Sequence, residues 1–305
     1  MAAFLSFNKI GKKVNDSNLL ADLSFGVQQG ELLFVLGKAN SGKSTLFKIL
    51  MGFTDKNRGQ IFLDGMDFDI RRDEILSNIG YVPQEDIFDT NLNVEDNLLL
   101  YAQLHNLNLI KIKERILYWA DRLNFKKNLQ DSIKVLSAST LKKIAFARSL
   151  IHDPDVLLID DFTSCMDYYD KNIVFEIIQD IRVNKSILII TQDFNLAETY
   201  SDRIVVINNG SIAFNGSLHN LDREINDIYK YRFTFKRIVP SQLLKDLRDD
   251  KNISKVTSND NHLQIMVENK STFFDVFKMV VNYELIDFKM SDSKLTELFE
   301  RITDL

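Results

Sequence analysis

Eight consecutive residues, Gly37-Lys38-Ala39-Asn40-Ser41-Gly42-Lys43-Ser44, match the spacing G-x-x-x-x-G-K-[ST] at every fixed position. Glycines at the two ends let the backbone bend and approach an anion closely. Consecutive N–H groups and the start of a following helix then point at phosphate oxygens. Lys43 can reach the β- and γ-phosphates of a nucleoside triphosphate, and the Ser44 hydroxyl can ligate Mg²⁺. Thr45, next along the chain, is counted with the same phosphate-binding set. Downstream, the run Val156–Ile159 ends in Asp160. A carboxylate at a buried strand end is the expected partner for the Mg²⁺ shell. The chemistry these residues could do is the binding of a Mg²⁺–nucleoside triphosphate and the handling of its γ-phosphate.

The loop works only between a strand and a helix. Leu32–Leu36 reads as a buried strand, and Lys43–Met51 as the helix after it. Val156–Asp160 and Ser186–Thr191 are two further apolar runs of strand length. Roughly the first 220 residues alternate such strands with amphipathic helices, as an α/β domain with a mostly parallel sheet does. Between about Asn91 and Ser149 the apolar residues recur at helical spacing, which predicts a helical insertion. Asn209-Gly210 between Ile204–Asn208 and Ser211–Phe214 predicts a tight hairpin.

After about Leu221 the character changes. Tyr231, Phe233 and Phe235 alternate as a strand does. Pro240 and Ser241 open a helix to about Arg248. Ile253–Ser258 and His262–Val267 flank the turn residues Asn259-Asp260-Asn261. Ser271 is a candidate cap for a helix to Asn282, Leu285–Lys289 is strand-like, and Ser293–Ile302 predicts a terminal helix. The order β-α-β-β-α-β fits a ferredoxin-like module. The expected division is therefore a phosphate-loop α/β domain over 1–221, with a helical part at about 91–149, and an accessory α+β domain over 222–305.

The 305 residues carry a formal net charge of -5, with 45% hydrophobic and 27% charged residues. That balance describes a globular protein with ample core material. An acidic chain argues against general nucleic-acid binding. No apolar run approaches the ~20 residues that span a bilayer, and the N-terminus has no signal-peptide pattern. The single cysteine, Cys165, excludes an intramolecular disulfide framework and suits a reducing cytosol. The histidines, at 105, 152, 219 and 262, are far apart in sequence and read as solvated or structural. Trp119 and the phenylalanines read as core or interface material, and the charges from Lys245 to Lys251 as a solvated helix face.

Taken together, the chain resembles the nucleotide-binding domain of ABC transporters over roughly residues 3–220. Gly80-Tyr81-Val82-Pro83-Gln84-Glu85 looks like the family's Q-loop, which makes Gln84 the residue that senses Mg²⁺ and faces the membrane subunit. Leu136-Ser137-Ala138-Ser139-Thr140 occupies the signature position. Leu157-Leu158-Ile159-Asp160-Asp161 looks like Walker B followed by the catalytic position. Ser164-Cys165-Met166-Asp167 looks like the D-loop, and Thr191-Gln192-Asp193 sits where the switch histidine normally lies. The tail, Leu295-Thr296-Glu297-Leu298-Phe299, is similar to the end of an extension on ABC-2-type exporters. The resemblance implies a P-loop fold of the ABC type, ATP and Mg²⁺ as cofactors, and a second ATP-binding subunit. It also implies integral membrane partners and a peripheral position on the cytoplasmic face of the membrane.

Four departures from the family pattern point one way. The position after Walker B is Asp161 where glutamate is expected, which shortens the side chain that positions the attacking water. The switch position is Gln192, which cannot carry a proton charge near neutral pH. Ala138 and Ser139 replace the two signature glycines, which would cost strain of about 1–3 kcal/mol at any position needing positive φ. Val14 stands where an aromatic residue would stack on adenine. The family's dimer sandwiches two nucleotides, each held by the phosphate loop of one subunit and the signature of the other. Slow hydrolysis follows, and a homodimer or a heterodimer with a more complete sister chain both fit. Two functions remain open: a motor that drives membrane export, and a nucleotide-switched adaptor with little turnover. A soluble translation or repair protein of the family is disfavoured, because neither a second cassette nor a long coiled coil is present. The accessory domain's role stays open between dimer contact and regulation.

Overall fold

The computed structural model describes residues 3–290 apart from 16, 86, 106, 219, 221–228 and 268–270. The chain forms two compact units, Met1–Ser217 and Leu218–Leu305. Three uninterrupted apolar runs build the centre of the first unit: Leu32–Leu36 (β3), Val156–Asp160 (β7) and Ser186–Ile190 (β8). Each is buried over its whole length, as strands covered on both faces must be. They pair in parallel, flanked by Ile79–Val82 (β6) and Arg203–Asn208 (β9). Ser211–Gly216 (β10) adds an antiparallel edge through the Asn209-Gly210 turn. The resulting order is β10-β9-β3-β8-β7-β6.

A second sheet was not legible in the sequence. Leu5–Val14 (β1), Ser17–Val27 (β2), Arg58–Leu63 (β4) and the short Met66–Asp67 (β5) form an antiparallel sheet of order β2-β1-β4-β5. Its alternation is broken by register shifts in β1, so the period-two signal that marks a half-buried strand is interrupted. Phe7 and Phe25 stack inside it, and its inner face joins the core shared with β3 and the helix Lys43–Leu50 (α1). A short helix, Arg72–Ser77 (α2), leads into β6.

The helical insertion lies between β6 and β7. It comprises Val94–Gln103 (α3), Leu109–Arg122 (α4) and Ala138–Leu150 (α5). Asn93 and Asn108 cap the first two helices by accepting from Asp96 N and Lys111 N. Trp119 is buried in α4, as core material. Two more helices follow strands of the parallel sheet: Tyr168–Ile181 (α6) after β7 and Phe194–Tyr200 (α7) after β8.

His105 and His152, distant in sequence, stack with ring centroids 3.8 Å apart beside Tyr101. Burial drives His152 down to about 4, with His105 adding to the shift, and its Nε2 lies 3.2 Å from the Ile79 carbonyl. This neutral pair packs the insertion against the start of β6. Among the described residues no group of three or more metal-ligating side chains occurs.

The second unit orders its elements as Tyr229–Phe235 (β11), Ser241–Asp249 (α8), Ile253–Asn259 (β12), His262–Val267 (β13), Thr272–Val280 (α9) and Leu285–Met290 (β14). The antiparallel order β12-β13-β11-β14 is that of a ferredoxin-like sheet. Its core is built from Tyr231, Phe233, Phe235, Leu263, Ile265 and Val267 on the sheet, under Leu243, Leu247, Val276 and Val280 of the helices. Ser271 precedes α9 without making a side-chain cap bond. The helix expected over Ser293–Ile302, with the tail motif, lies outside the described residues, as does His219.

Gly80 shows how tightly the insertion is seated. A Cβ there would sit 2.3 Å from the Ser149 carbonyl oxygen and 2.9 Å from Pro154 Cγ. Gly80→Ala should therefore cost about 1–3 kcal/mol. Thermal denaturation should show it as a fall of roughly 2–10 °C, and an unchanged melting temperature would mean that α5 can withdraw freely from β6.

Candidate functional site

Parallel strands all end on the same edge of their sheet, so the segments after β3, β7 and β8 meet there. The segment after β3 is the glycine-containing loop. A Cβ at Gly37 would lie 2.4 Å from the Ile207 carbonyl oxygen, and one at Gly42 2.4 Å from Leu20 Cδ2. Gly42 also has φ of 101°, a left-handed value that glycine adopts without strain. Its carbonyl accepts from Leu46 N at 3.0 Å and starts α1. Lys38, Ala39 and Asn40 form the exposed rim, while Ser41 and Lys43 are buried.

The Lys43 side chain folds back under this loop. Its Nζ donates to the carbonyl oxygens of Gly37 at 2.8 Å and Lys38 at 2.6 Å, and to Ser41 Oγ at 3.3 Å. Burial lowers its pKa, against the attraction of Asp160 and then Asp161. At the next residue, Ser44 Oγ donates to Asp160 Oδ1 at 3.1 Å. Asp160 is only 2% exposed. Burial raises its pKa, the Ser44 bond opposes that rise, and Asp161 adds to it. Two hard oxygen donors, one a carboxylate that pays for burial in proton affinity, fit a hard divalent cation such as Mg²⁺. Thr45 lies beside Ser44, half-buried in the same helix turn.

Asp161 ends the β7 segment in a left-handed conformation, φ 41° and ψ 42°. Aspartate tolerates that region better than most side chains. Its N–H donates to the Ile190 carbonyl at 2.8 Å, which ties the end of β7 to the end of β8. Burial raises the Asp161 carboxyl, while Lys43 and Lys142 oppose the rise. Gln192, two residues beyond Ile190, is exposed, and Asp193 caps α7 by accepting from Asn195 N and Leu196 N. Gln84 follows β6 and is exposed. With Ser44, Asp160, Tyr81 and Arg148 it lines one cavity of about 510 Å³. The three residues expected around the metal thus share a single cavity wall.

The signature-position residues lie elsewhere. Ser137 caps α5, its Oγ accepting from Thr140 N at 3.2 Å. Ala138 and Ser139 form the first turn of that helix, and neither has positive φ. The strain expected from losing two glycines is therefore absent, because helical backbone suits alanine and serine better than glycine. Among the described residues no hydrogen bond joins this segment to the phosphate loop. Val14 stands exposed at the β1–β2 turn. Cys165 is also exposed, in a 3₁₀ turn over Phe162–Cys165.

Sequence reasoning missed Lys142 as a site residue. Its ammonium donates to the Gln84 carbonyl at 2.6 Å, and it is 4% exposed. No motif marks it; only the packing of α5 against the Gln84 loop brings it there.

Residues 20–164 match the family model described as ABC transporter. The chain is 28% identical over 221 residues to the ABC transporter ATP-binding protein NatA of Bacillus subtilis, covering 71% of this chain and 89% of that protein. It is 30% identical over 216 residues to the Nod factor export ATP-binding protein I of Rhizobium sp. (strain N33), covering 70% and 71% respectively. A solved structure of the ATP-binding subunit of an ABC transporter superposes with a TM-score of 0.69 at 22% identity, over 73% of this chain and 93% of that one.

The helical start of α5 yields a direct check. Ala138→Gly, which restores the glycine the resemblance expects, should lower stability by about 0.5–1 kcal/mol. The melting temperature should fall by roughly 1–4 °C; a rise would show that position 138 needs left-handed backbone.

Proposed function

The chain belongs to the ABC transporter family as an ATP-binding subunit, and on that premise we propose that it is a slow ATP-driven motor for membrane export. The observation that carries this reading is the convergence of Lys43, Ser44, Asp160 and Asp161 at one sheet edge, with the Ser44–Asp160 bond at 3.1 Å. Gly37 to Thr45 would wrap the phosphates. Lys43 would exchange its loop carbonyls for phosphate oxygens, and its burial strengthens that attraction. Ser44 and Asp160, with Gln84 on the same cavity wall, would hold Mg²⁺, which when bound neutralises charge on the phosphates. Asp161 would orient the attacking water, and Gln192 would face the γ-phosphate as a neutral hydrogen-bond donor.

Ser137, Ala138 and Ser139 would serve the nucleotide of a second subunit, as the family arrangement implies. That subunit is a second copy or a sister chain. Among the described residues no helix is long and apolar enough to cross a membrane. In this reading integral membrane subunits form the path, and the chain works on the cytoplasmic side. Export is the direction in which the Nod factor relative is named, which supports the same direction here.

A second reading, an adaptor that binds ATP and hardly turns it over, is favoured by one feature. Both positions that should activate water depart from the family: Asp161 is short, and Gln192 cannot titrate. Steady-state hydrolysis by the purified chain separates the two readings. In the motor reading the wild-type chain turns over ATP measurably, and Asp161→Glu with Gln192→His raises the rate by roughly a hundredfold. No turnover in the wild-type chain, and none gained by the double variant, would sink the motor reading.

A further inference from the structure

Two consecutive buried lysines lie in α5 outside the phosphate loop, and the second has no role in the site described above. Lys143 is 6% exposed, and its Nζ donates to Asp170 Oδ1 at 2.8 Å. Asp170 is 7% exposed and lies in the first turn of α6. Its other carboxylate oxygen accepts from the Ser139 hydroxyl. Its backbone N–H donates to Asp167 Oδ1 at 2.8 Å, the bond that caps α6. One aspartate therefore grips the first turn of α5 with its side chain and the first turn of α6 with its backbone. Ser139 is one of the two residues that stand in place of signature glycines, and a glycine could not make this bond.

A buried ion pair is held rigidly when its remaining lone pairs are satisfied. Here Ser139 fills one oxygen and Lys143 the other. The helices so joined are capped by Ser137, within the signature-position segment, and by Asp167, the last residue of the Ser164–Asp167 segment. Ser137, Ala138, Tyr168 and Tyr169 around them are exposed. The substitution that reads as an eroded motif thus supplies a cross-brace.

We propose that Asp170 is a positioning residue that locks the Ser137–Ser139 and Ser164–Asp167 segments into one rigid face, offered across a dimer to the second subunit's nucleotide. This rests on the dimer reading above, and the test separates the two. In the whole chain, amide hydrogen exchange should be measured on wild type, Ser139→Ala and Asp170→Asn. The Thr140 and Asp170 amides report the two caps. Loss of the brace should speed exchange at both by about tenfold, together. Faster exchange at Thr140 alone would overturn the proposal, as would no change at either. If Asp170→Asn fails to fold, Lys143→Met with Asp170→Leu removes both charges at once and is read at the same two caps.

ATP-dependent self-association, measured by sedimentation, tests the second half. Wild type should associate, and Ser139→Ala should weaken association by about tenfold. Coupled exchange with equal association in both proteins would leave a brace without a role across the dimer and overturn that part. Wild type that never associates, alone or with a sister chain, would sink the dimer reading, while the exchange result still decides the brace.

Discussion

Full burial of β3, β7 and β8 on both faces is the constraint on which the site depends. Strands with no polar face suit the interior of a parallel sheet covered on both faces, here in part by α1 and the antiparallel sheet. Parallel pairing then forces the segments after all three strands to one edge. The phosphate loop lies more than a hundred residues before Asp160–Asp161 in the chain, and Thr191–Asp193 follow another 30 residues on. Their meeting follows from register, with Val35 paired to Ile190 and Asp160 to Ile190 across adjacent strands. The Ser44–Asp160 hydrogen bond is the local consequence of that register.

Electrostatics then sharpens what geometry has brought together. Lys43 is desolvated and faces two carboxylates, and each carboxylate is raised by its own burial. Water cannot screen such a group of charges well, so the interactions within it are stronger than at a surface. An added divalent cation beside Asp160 relieves a cost already present in the fold. The same low-polarity surroundings explain why the neighbouring cations matter: Lys43 and Lys142 both oppose the rise that burial imposes on Asp161.

Much of this was legible in the residues. The fixed spacing from Gly37 to Ser44, and the apolar runs that end at Leu36, Asp160 and Ile190, specify the strand–loop–helix frame without any structure. The ferredoxin-like order of the second unit was legible too, because Tyr231, Phe233 and Phe235 alternate cleanly. The antiparallel sheet of β1, β2, β4 and β5 was not, since the register shifts at Ile10 and Lys12 break its alternation. The His105–His152 stack could not be read either, because long-range packing leaves no local period. Most instructive are Ala138 and Ser139. Comparison with a motif made them look strained, whereas their helical backbone and the Ser139–Asp170 bond show a different solution at the same position.

The central claim is that the Gly37–Ser44 loop and Asp160 bind Mg²⁺–ATP, and that Asp161 and Gln192 set the rate at which it is consumed. ATP binding should be measured beside steady-state hydrolysis, with and without Mg²⁺, for the purified chain and Lys43→Ala. The account predicts Mg²⁺-dependent binding with slow turnover, and at least about a tenfold loss of affinity in Lys43→Ala, since a charge-assisted phosphate contact is removed. Equal affinity in the two proteins, or binding indifferent to Mg²⁺, would contradict it.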